Sequence, residues 1–275
     1  MITSLVQLTD THIREPGRVA YGRLDTAPFL ARAVHAVNTL RQQPDAVVLT
    51  GDLTDFGRAD EYAHLRELLS PLKVPFYLLP GNHDSREGLR AAFPDHAYLG
   101  QGPFVQYWLD IGPLRLISLD TVVPQESYGA LCDDRLAWLD NVLIQSTHKP
   151  VVIAMHHPPF RTLIGHMDDI GLLHGGVELE ALVRRFPNIE RIICGHLHRP
   201  IDVRFGGTVA ATAPAPAHQV TLNLAPDASS DWMLEPPAFR IHAWDDVAAR
   251  LVTHTAAIGQ FDGPYPFHEN GSLID

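Results

Sequence analysis

Cysteine is scarce in this chain of 275 residues, which contains only Cys132 and Cys194. Two cysteines cannot form the network of disulfide bonds that holds small secreted proteins together. Cys194 follows Ile192 and Ile193, so we expect a buried, inert thiol there. No apolar segment approaches the roughly 20 residues that a membrane-spanning helix needs, and we therefore expect no membrane partner.

Positive charge is also in short supply, since 21 Lys and Arg stand against 32 Asp and Glu, for a formal net charge of −11. Affinity for nucleic acids comes mostly from Lys and Arg that neutralise phosphates, so nucleic acid is not an expected partner. Residues 1–6 lack the basic region and the cleavable apolar stretch of a signal peptide. We therefore expect a cytoplasmic location.

Several catalytic motifs are missing. The sequence has no Gly-x-Ser-x-Gly turn, no Gly-x4-Gly-Lys-Ser/Thr phosphate loop and no His-Glu-x-x-His helix. Their absence argues against a serine hydrolase, a P-loop NTPase and a zincin protease. The pair Gly175-Gly176 is more simply a loop end than a dinucleotide cradle.

The composition, 45% hydrophobic and 19% charged, is that of a globular protein, and the length suits one domain over residues 1–275. In the first part of the chain a unit of strand, loop and helix repeats, as expected of an α/β fold. The predicted strands cover residues 5–8, 46–49 and 75–79, and the predicted helices cover 29–40, 61–72 and 86–93.

A second sheet is predicted to begin near residue 104. Runs 104–109 and 114–119 are separated by Ile111-Gly112-Pro113 and indicate a hairpin. Further strands are predicted at 151–155, 201–205, 209–212, 220–224, 239–244 and 251–255, and further helices at 135–144 and 177–186.

Four polar segments follow apolar runs: Asp10-Thr11-His12, Gly51-Asp52, Gly81-Asn82-His83-Asp84 and Gly195-His196-Leu197-His198. In extended chain, alternate side chains share a face, so each of the pairs Asp10/His12 and His196/His198 can point to one side. Taken singly, each segment is more often a turn or a helix cap. Their joint occurrence at successive strand ends, where α/β sheets place ligands, favours a two-metal phosphoesterase site.

With the doublet His156-His157, these segments resemble, in order, the signature of the calcineurin-like metallophosphoesterase superfamily, over about the first 200 residues. The stretches Pro44-Asp45-Ala46-Val47-Val48 and Met155-His156-His157-Pro158-Pro159 are similar to bacterial glycerophosphodiesterases and class III cyclic-nucleotide phosphodiesterases. The resemblance implies a four-layer fold with two mixed β-sheets packed face to face between helices. Residues from about 200 to 275 would complete the second sheet and supply a small cap and contacts of a homo-oligomer.

The resemblance also implies the ligands of two divalent metal ions. One ion would bind Asp10, His12 and His198, the other Asn82, His156 and His196, and Asp52 would bridge them. Carboxylate, imidazole and amide ligands without thiolate suit Mn²⁺, Fe²⁺, Co²⁺ or Zn²⁺. Such a centre would hydrolyse small-molecule phosphodiesters, including glycerophosphodiesters and cyclic nucleotides, by metal-activated hydroxide.

The same resemblance assigns catalytic roles to His83 and to its neighbour Asn82. His83 would hydrogen-bond the phosphoryl or leaving-group oxygen and act as a general acid, with Asp55 as a residue that orients it. The pattern departs from related protein phosphatases after Phe56, where Gly57-Arg58 replaces Arg-Gly. His218 and Tyr21 resemble residues on the substrate side.

Several alternatives remain open at this point. His157 could replace His156 as a ligand, although the family pattern favours His156. The loop at 163–176, with His166, Asp168, Asp169 and His174, could be a second metal site or a mobile rim. A phosphomonoesterase would want cationic groups near the metals, for which Arg14, Arg18 and Arg23 are candidates. A non-catalytic scaffold on the same fold would not need seven intact ligands.

Overall fold

The computed structural model describes residues 2–269 and 271–274, so residues 1, 270 and 275 of the predicted domain lie outside it. Its helices are α1 (Ala27–Asn38), α2 (Ala59–Leu69), α3 (Arg86–Ala92), α4 (Asp133–Ile144), α5 (Gly165–Asp168) and α6 (Gly176–Val183), with a 3₁₀ turn at Ala97–Leu99. The larger strands are β1 (Ile2–Leu8), β2 (Ala46–Thr50), β3 (Phe76–Leu79), β4 (Tyr107–Ile111), β5 (Leu114–Leu119), β7 (Val151–Met155), β9 (Ile189–Cys194), β10 (Ile201–Phe205), β11 (Thr208–Thr212), β14 (Ala238–Asp245) and β15 (Arg250–Ala257). Short strands are β6 (Gly129–Ala130), β8 (Leu172–His174), β12 (Gln219–Val220), β13 (Trp232–Met233), β16 (His268–Glu269) and β17 (Ser272–Leu273).

The first sheet has the order β15-β14-β1-β2-β3. Strands β1, β2 and β3 are parallel, whereas β14 and β15 add an antiparallel edge. Val6 and Leu8 of β1 pack with Leu30 of α1 and Leu65 of α2 in one buried cluster. The first three helices therefore cover one face of this sheet.

The second sheet has the order β10-β11-β9-β7-β5-β4, with parallel inner strands and antiparallel edges at β4 and β10. Ile153 of β7 packs with Leu139 of α4 and Leu179 of α6 on its outer face. Val152 and Ala154 alternate with Ile153 and point the other way, into a core shared with the first sheet.

This shared core separates the two sheets and makes the fold four layers thick. It joins Leu5, Ala46 and Val48 of the first sheet to Leu116 and Val152 of the second. The alternation of side chains along each strand explains how one strand serves two cores. The predicted α/β architecture of two mixed sheets packed face to face and flanked by helices is confirmed.

The C-terminal quarter is divided between the two sheets. Strands β10 and β11 complete the second sheet, as predicted, but β14 and β15 extend the first sheet instead. The strand predicted at 220–224 is also shorter than expected, because only Gln219 and Val220 pair, with β13, and Leu222 and Leu224 are exposed. The cap and oligomer functions of this region stay predictions.

Other element boundaries differ from the predicted ones by a few residues. The hairpin β4–β5 turns at Gly112, whose φ of 56° is readily available to glycine. Cys194 is buried, as expected, and Cys132 is exposed. Within residues 2–269 and 271–274, every helix falls short of the length and apolar character required to cross a bilayer.

Candidate metal centre

The site lies where the loops after β1, β2, β3, β7 and β9 converge. Main-chain hydrogen bonds join the first two loops: Asp10 N donates to Gly51 O, and His12 N donates to Asp52 O, both at 3.0 Å. Asp10 also accepts a hydrogen bond from His196 N at 3.0 Å, across a sequence separation of 186 residues. The backbone therefore fixes these polar side chains before any ligand binds.

Five of the seven predicted metal ligands occupy the left-handed region of backbone conformation. The φ angles are 52° at Asp10, 43° at His12, 48° at Asp52, 70° at His196 and 52° at His198. Such a conformation costs about 1 to 3 kcal/mol per non-glycine residue and clusters at functional sites. Strained turns replace the extended chain on which the alternation argument rested, although they bring the same side chains together.

One half of the centre gathers Asp10, His12, His198 and Asp52, all buried and close enough to share an ion. His12 Nε2 lies 3.3 Å from His198 Nε2 and 3.6 Å from Asp52 Oδ2. His198 Nε2 lies 3.4 Å from Asp10 Oδ1.

The other half is arranged around the second oxygen of Asp52. Asp52 Oδ1 lies 3.3 Å from His156 Nε2, which is 3.1 Å from Asn82 Oδ1. Nε2 of His196 is buried without a hydrogen-bond partner among the described residues. An unpaired buried nitrogen is costly, and a metal ion at this position would satisfy it. With one carboxylate oxygen toward each half, Asp52 can bridge two ions.

Glycine is required at three positions beside the predicted ligands. A Cβ atom at Gly51 would clash with the His156 ring, one at Gly81 with the Asp52 carboxylate, and one at Gly195 with the Thr9 hydroxyl. Each predicted Gly-ligand segment therefore depends on a close approach between its backbone and another segment. The donor set and this close packing fit a pair of divalent ions.

The charge states of the ligands follow from burial and from their neighbours. Burial raises the pKa of Asp10 to about 6, against the opposing effect of His156. Burial opposes protonation of His156, but the attraction of Asp52 prevails and raises its pKa to about 9. Burial lowers the pKa of His196 to about 3, so this imidazole is neutral and keeps a lone pair for a metal.

His83 stands at the mouth of the centre and is half-buried. Its main-chain N donates to Asp52 Oδ1 at 2.9 Å, and its ring Nδ1 lies 2.8 Å from the main-chain oxygen of Asp55. The Asp55 carboxylate is farther from that ring, at 3.9 Å. Asp55 therefore contacts the His83 ring through its main-chain oxygen rather than its carboxylate.

A cavity of about 210 Å³ opens above the centre, and both predicted substrate residues line it. The Tyr21 and His218 rings pack edge to face, with centroids 5.0 Å apart. Burial lowers the pKa of His218 to about 3. The Trp232 ring of β13 packs against both, with centroids 5.7 Å from Tyr21 and 5.5 Å from His218.

His157 is not among the residues that line the cavity, and both of its ring nitrogens have other partners. Its Nδ1 pairs with the Thr121 hydroxyl at 2.8 Å, and its Nε2 lies 3.2 Å from Ser127 O. With both nitrogens bound, His157 is a poorer ligand candidate than His156, although it lies close to His156 and His196.

The loop at 163–176 contains the short helix α5 and the strand β8. The Asp168 carboxylate accepts hydrogen bonds from the amides of Thr162 and Leu163, at 2.6 and 3.1 Å. Among the described residues, the acidic and histidine side chains of this loop do not gather into a metal-binding group. His166 instead lines the cavity.

Sequence reasoning missed several residues that shape the site. Half-buried Asp84 accepts hydrogen bonds from the amides of Leu53, Thr54 and Gly81 and from the Tyr62 hydroxyl, and so joins the loops after β2 and β3. Trp232 was missed because it lies in a segment without periodicity, broken by Pro226 and Pro236-Pro237. Asp84 could have been singled out as the acidic end of Gly-Asn-His-Asp.

The chain is similar in sequence to known proteins over nearly its whole length. Residues 3–200 match the family model described as calcineurin-like phosphoesterase. A probable glycerophosphodiester phosphodiesterase GpdQ of Arcobacter nitrofigilis is 38% identical over 98% of this chain and 99% of its own length. A probable cyclic nucleotide phosphodiesterase of Rhodopseudomonas palustris is 35% identical over 98% of this chain and 97% of its own. Among solved structures, a dimetal phosphatase from Danio rerio has a similar fold, with a TM-score of 0.64 at 18% identity over 94% of this chain and 99% of that one.

Proposed function

Because the chain belongs to the calcineurin-like phosphoesterase family, we propose that the cavity above Asp52 is the active site of a metal-dependent hydrolase of small-molecule phosphodiesters. The relatives named as glycerophosphodiester and cyclic nucleotide phosphodiesterases are similar over nearly the whole chain, which confirms the prediction of phosphodiester hydrolysis. The observation that carries the assignment of the site is the convergence of six predicted ligands around the buried carboxylate of the seventh, Asp52.

The ligand set that we propose is the predicted one, with Asp10, His12 and His198 on one ion, Asn82, His156 and His196 on the other, and Asp52 between them. The donor types suit Mn²⁺, Fe²⁺, Co²⁺ or Zn²⁺. When bound, such ions would lower the pKa of a water molecule in the site, and their positive charge would stabilise the phosphoryl oxygens of the substrate.

The protein's own residues then bind and orient the substrate. His83 keeps Nδ1 bound to Asp55 O, which leaves Nε2 as the nitrogen available to protonate a departing alkoxide. The main-chain bond from His83 to Asp52 ties this ring to the centre. Tyr21, His218 and Trp232 form an aromatic wall against which the alcohol part of the substrate can pack.

The charge of the cavity favours diesters over monoesters. A dianionic monoester is best held by cationic side chains, yet the described residues that line the cavity include no lysine or arginine. Arg14 is engaged with Glu61 at 2.9 Å, and Arg18 and Arg23 are exposed. Within residues 2–269 and 271–274, the cavity thus offers a phosphomonoester no lysine or arginine side chain.

A substrate panel tests this function. We expect the metal-loaded protein to hydrolyse bis(nitrophenyl) phosphate faster than nitrophenyl phosphate, with a glycerophosphodiester and cyclic AMP included to rank the two substrate classes. A preference for the monoester would contradict the proposal. Loss of all hydrolysis in a protein that still binds metal would favour the non-catalytic scaffold.

A cytoplasmic location and a homo-oligomer are part of the same proposal. The two free cysteines are compatible with a reducing compartment. Large apolar side chains near the C-terminus, Phe261, Tyr265 and Phe267, are exposed, and a second copy of the chain could cover them. Light scattering of the purified protein would test the oligomer.

A further inference from the structure

The Asp55 carboxylate is closer to a predicted metal ligand than to the predicted general acid. Its Oδ1 lies 3.2 Å from His12 Nδ1 but 3.9 Å from His83 Nδ1. His83 Nδ1 is already bound to the Asp55 main-chain oxygen at 2.8 Å. A ring nitrogen carries at most one hydrogen, so the side chain of Asp55 is left to act on His12.

His12 is oriented so that such a bond would matter. Its Nε2 faces His198 and Asp52, and its Nδ1 faces away from the centre toward Asp55. When a carboxylate accepts the Nδ1 hydrogen of a histidine, the lone pair is left on Nε2. The same hydrogen bond fixes the orientation of the ring and makes Nε2 a more basic ligand. The Tyr21 hydroxyl also approaches Nδ1, but at the longer distance of 3.4 Å.

Asp55 is itself held from two sides. Its amide donates to Ile13 O at 3.2 Å, which ties it to the strand-like segment that carries His12. Its Oδ2 lies 3.4 Å from Arg14 Nη1, and Arg14 Nε lies 2.9 Å from Oε1 of the fully buried Glu61. One guanidinium therefore supplies positive charge to two buried carboxylates.

Arg14 is fixed in turn by its surroundings. Its guanidinium lies over the Phe56 ring, 4.6 Å from the centroid, and donates to Val19 O at 3.1 Å. The other oxygen of Glu61 accepts hydrogen bonds from the amides of Phe56 and Arg58. The chain of contacts from Glu61 through Arg14 and Asp55 to His12 is continuous and almost entirely shielded from solvent.

We propose that Asp55, held by Arg14, is the positioning residue of His12 in the metal centre, and that the main chain rather than this carboxylate orients His83. The inference rests on the proposed function, because it takes His12 to be a metal ligand. It assigns to Asp55 a role in metal retention and removes it from proton transfer.

The Asp55→Asn variant tests this inference through metal affinity. Titration of the metal-free protein with Co²⁺, followed by the visible absorption of the bound ion, should show binding of one ion weakened about 10- to 100-fold, the usual effect of losing an outer-shell partner. With saturating metal, the ratio of rates for a nitrophenyl diester and an alkyl diester should equal that of the wild type.

His83→Ala is the variant to compare with Asp55→Asn, because it removes the proposed general acid and leaves the contact between Asp55 and His12 in place. Its Co²⁺ affinity should remain within about twofold of the wild type, and its rate should fall more for the alkyl diester, whose poor leaving group needs protonation. If Asp55→Asn behaved like His83→Ala, with normal Co²⁺ binding and a selective loss on the alkyl diester, the inference would be wrong.

Further variants keep the test decisive if Asp55→Asn does not fold. Arg14→Gln should weaken Co²⁺ binding in the same direction, whereas the exposed Arg18→Gln in the same loop should not, and Asp55→Glu should restore part of the affinity. Wild-type Co²⁺ binding by Arg14→Gln would overturn the inference. Failure of the wild-type protein itself to bind Co²⁺ would instead contradict the proposed function.

Discussion

The main-chain oxygen of Thr50 lies 2.8 Å from His156 Nδ1 and directs this imidazole toward the proposed metal centre. This bond leaves Nε2 facing Asp52 and Asn82. The Thr50 hydroxyl accepts a hydrogen bond from Gln7 Nε2 at 2.9 Å, and the same nitrogen donates to Cys194 O. Gln7 thus connects the ends of β1, β2 and β9 below the proposed centre, so the packing of both sheets determines where the His156 ring points.

Asp52→Asn should abolish the binuclear centre, because a neutral amide cannot bridge two cations as a carboxylate does. We expect fewer than two bound ions and a loss of diester hydrolysis of about 100-fold or more, beyond the effect of an outer-shell residue. Mn²⁺ at about 100 times its dissociation constant should stabilise the wild type by about 2.7 kcal/mol and the variant much less. Metal analysis and thermal unfolding measure both effects.

The control for Asp52 is Asp134→Asn, an exposed acid in α4. It should retain metal and activity. Full hydrolysis by a metal-free preparation of the wild type would end the proposal of a metal-dependent enzyme.

Gly81→Ala should damage the site without adding or removing a polar group. The new Cβ would overlap the Asp52 carboxylate and approach the His156 ring. We expect a loss of about 1 to 3 kcal/mol in the free energy of unfolding and weaker metal binding. Gly165→Ala is the matched control, since a Cβ there meets no atom within 4 Å. Equal stability of the two variants would show that the close approach at Gly81 is not needed.

Trp232→Ala should impair substrate binding more than catalysis. Trp232 belongs to the aromatic wall, where its ring packs against Tyr21 and His218, and neither of these two residues is a proposed metal ligand. Loss of about 1.4 kcal/mol of contact energy corresponds to a tenfold rise in KM, with kcat within about twofold of the wild type. Steady-state kinetics on the preferred diester would measure this, with Trp108→Ala on the exposed side of β4 as the control. A fall in kcat at constant KM would place Trp232 in the chemical step instead.

His242 should make the protein less stable in acid. Burial, reinforced by Arg191 and Arg240, holds its pKa well below 6.5 in the folded state. In the unfolded chain this imidazole therefore binds a proton near pH 6.5, whereas in the folded chain it stays neutral at that pH. The free energy of unfolding consequently falls as the pH drops below 6.5. The contribution is about 1.4 kcal/mol for each pH unit below 6.5, until the folded-state pKa is reached.

His242→Gln removes this titration. At pH 8 the variant should be about 1 to 3 kcal/mol less stable, because the bonds to Gln7 and Thr253 are disturbed, but the deficit should shrink by about 1.4 kcal/mol per pH unit below pH 6.5. Urea unfolding of metal-free protein at pH 8 and pH 5 would test this, with the exposed His35→Gln as the control. A deficit that stays constant between the two pH values would contradict the prediction.

The order of strands and helices and the identity of the polar segments could be predicted from the sequence because both depend on local pattern. Apolar runs such as 46–49 and 151–155 became buried strands, and the motif residues lie at their carboxyl ends. The addition of β14 and β15 to the first sheet could not be predicted, since antiparallel strands have the same pattern of alternation in either sheet. Of the three residues of the aromatic wall, the sequence indicated only Tyr21 and His218. Trp232 could not be predicted, because its contact with Tyr21 joins segments that are far apart in the chain.

The amino-acid sequence by itself therefore determined the donor atoms, their grouping on loops and the class of reaction they suit, since these follow from residue type and order. The tertiary structure alone decided which nitrogen of His12, His156 and His198 faces the proposed centre and which oxygen lies against the other nitrogen. Those choices depend on hydrogen bonds over separations such as the 106 residues between Thr50 and His156, and such pairings are set only when the two sheets pack together.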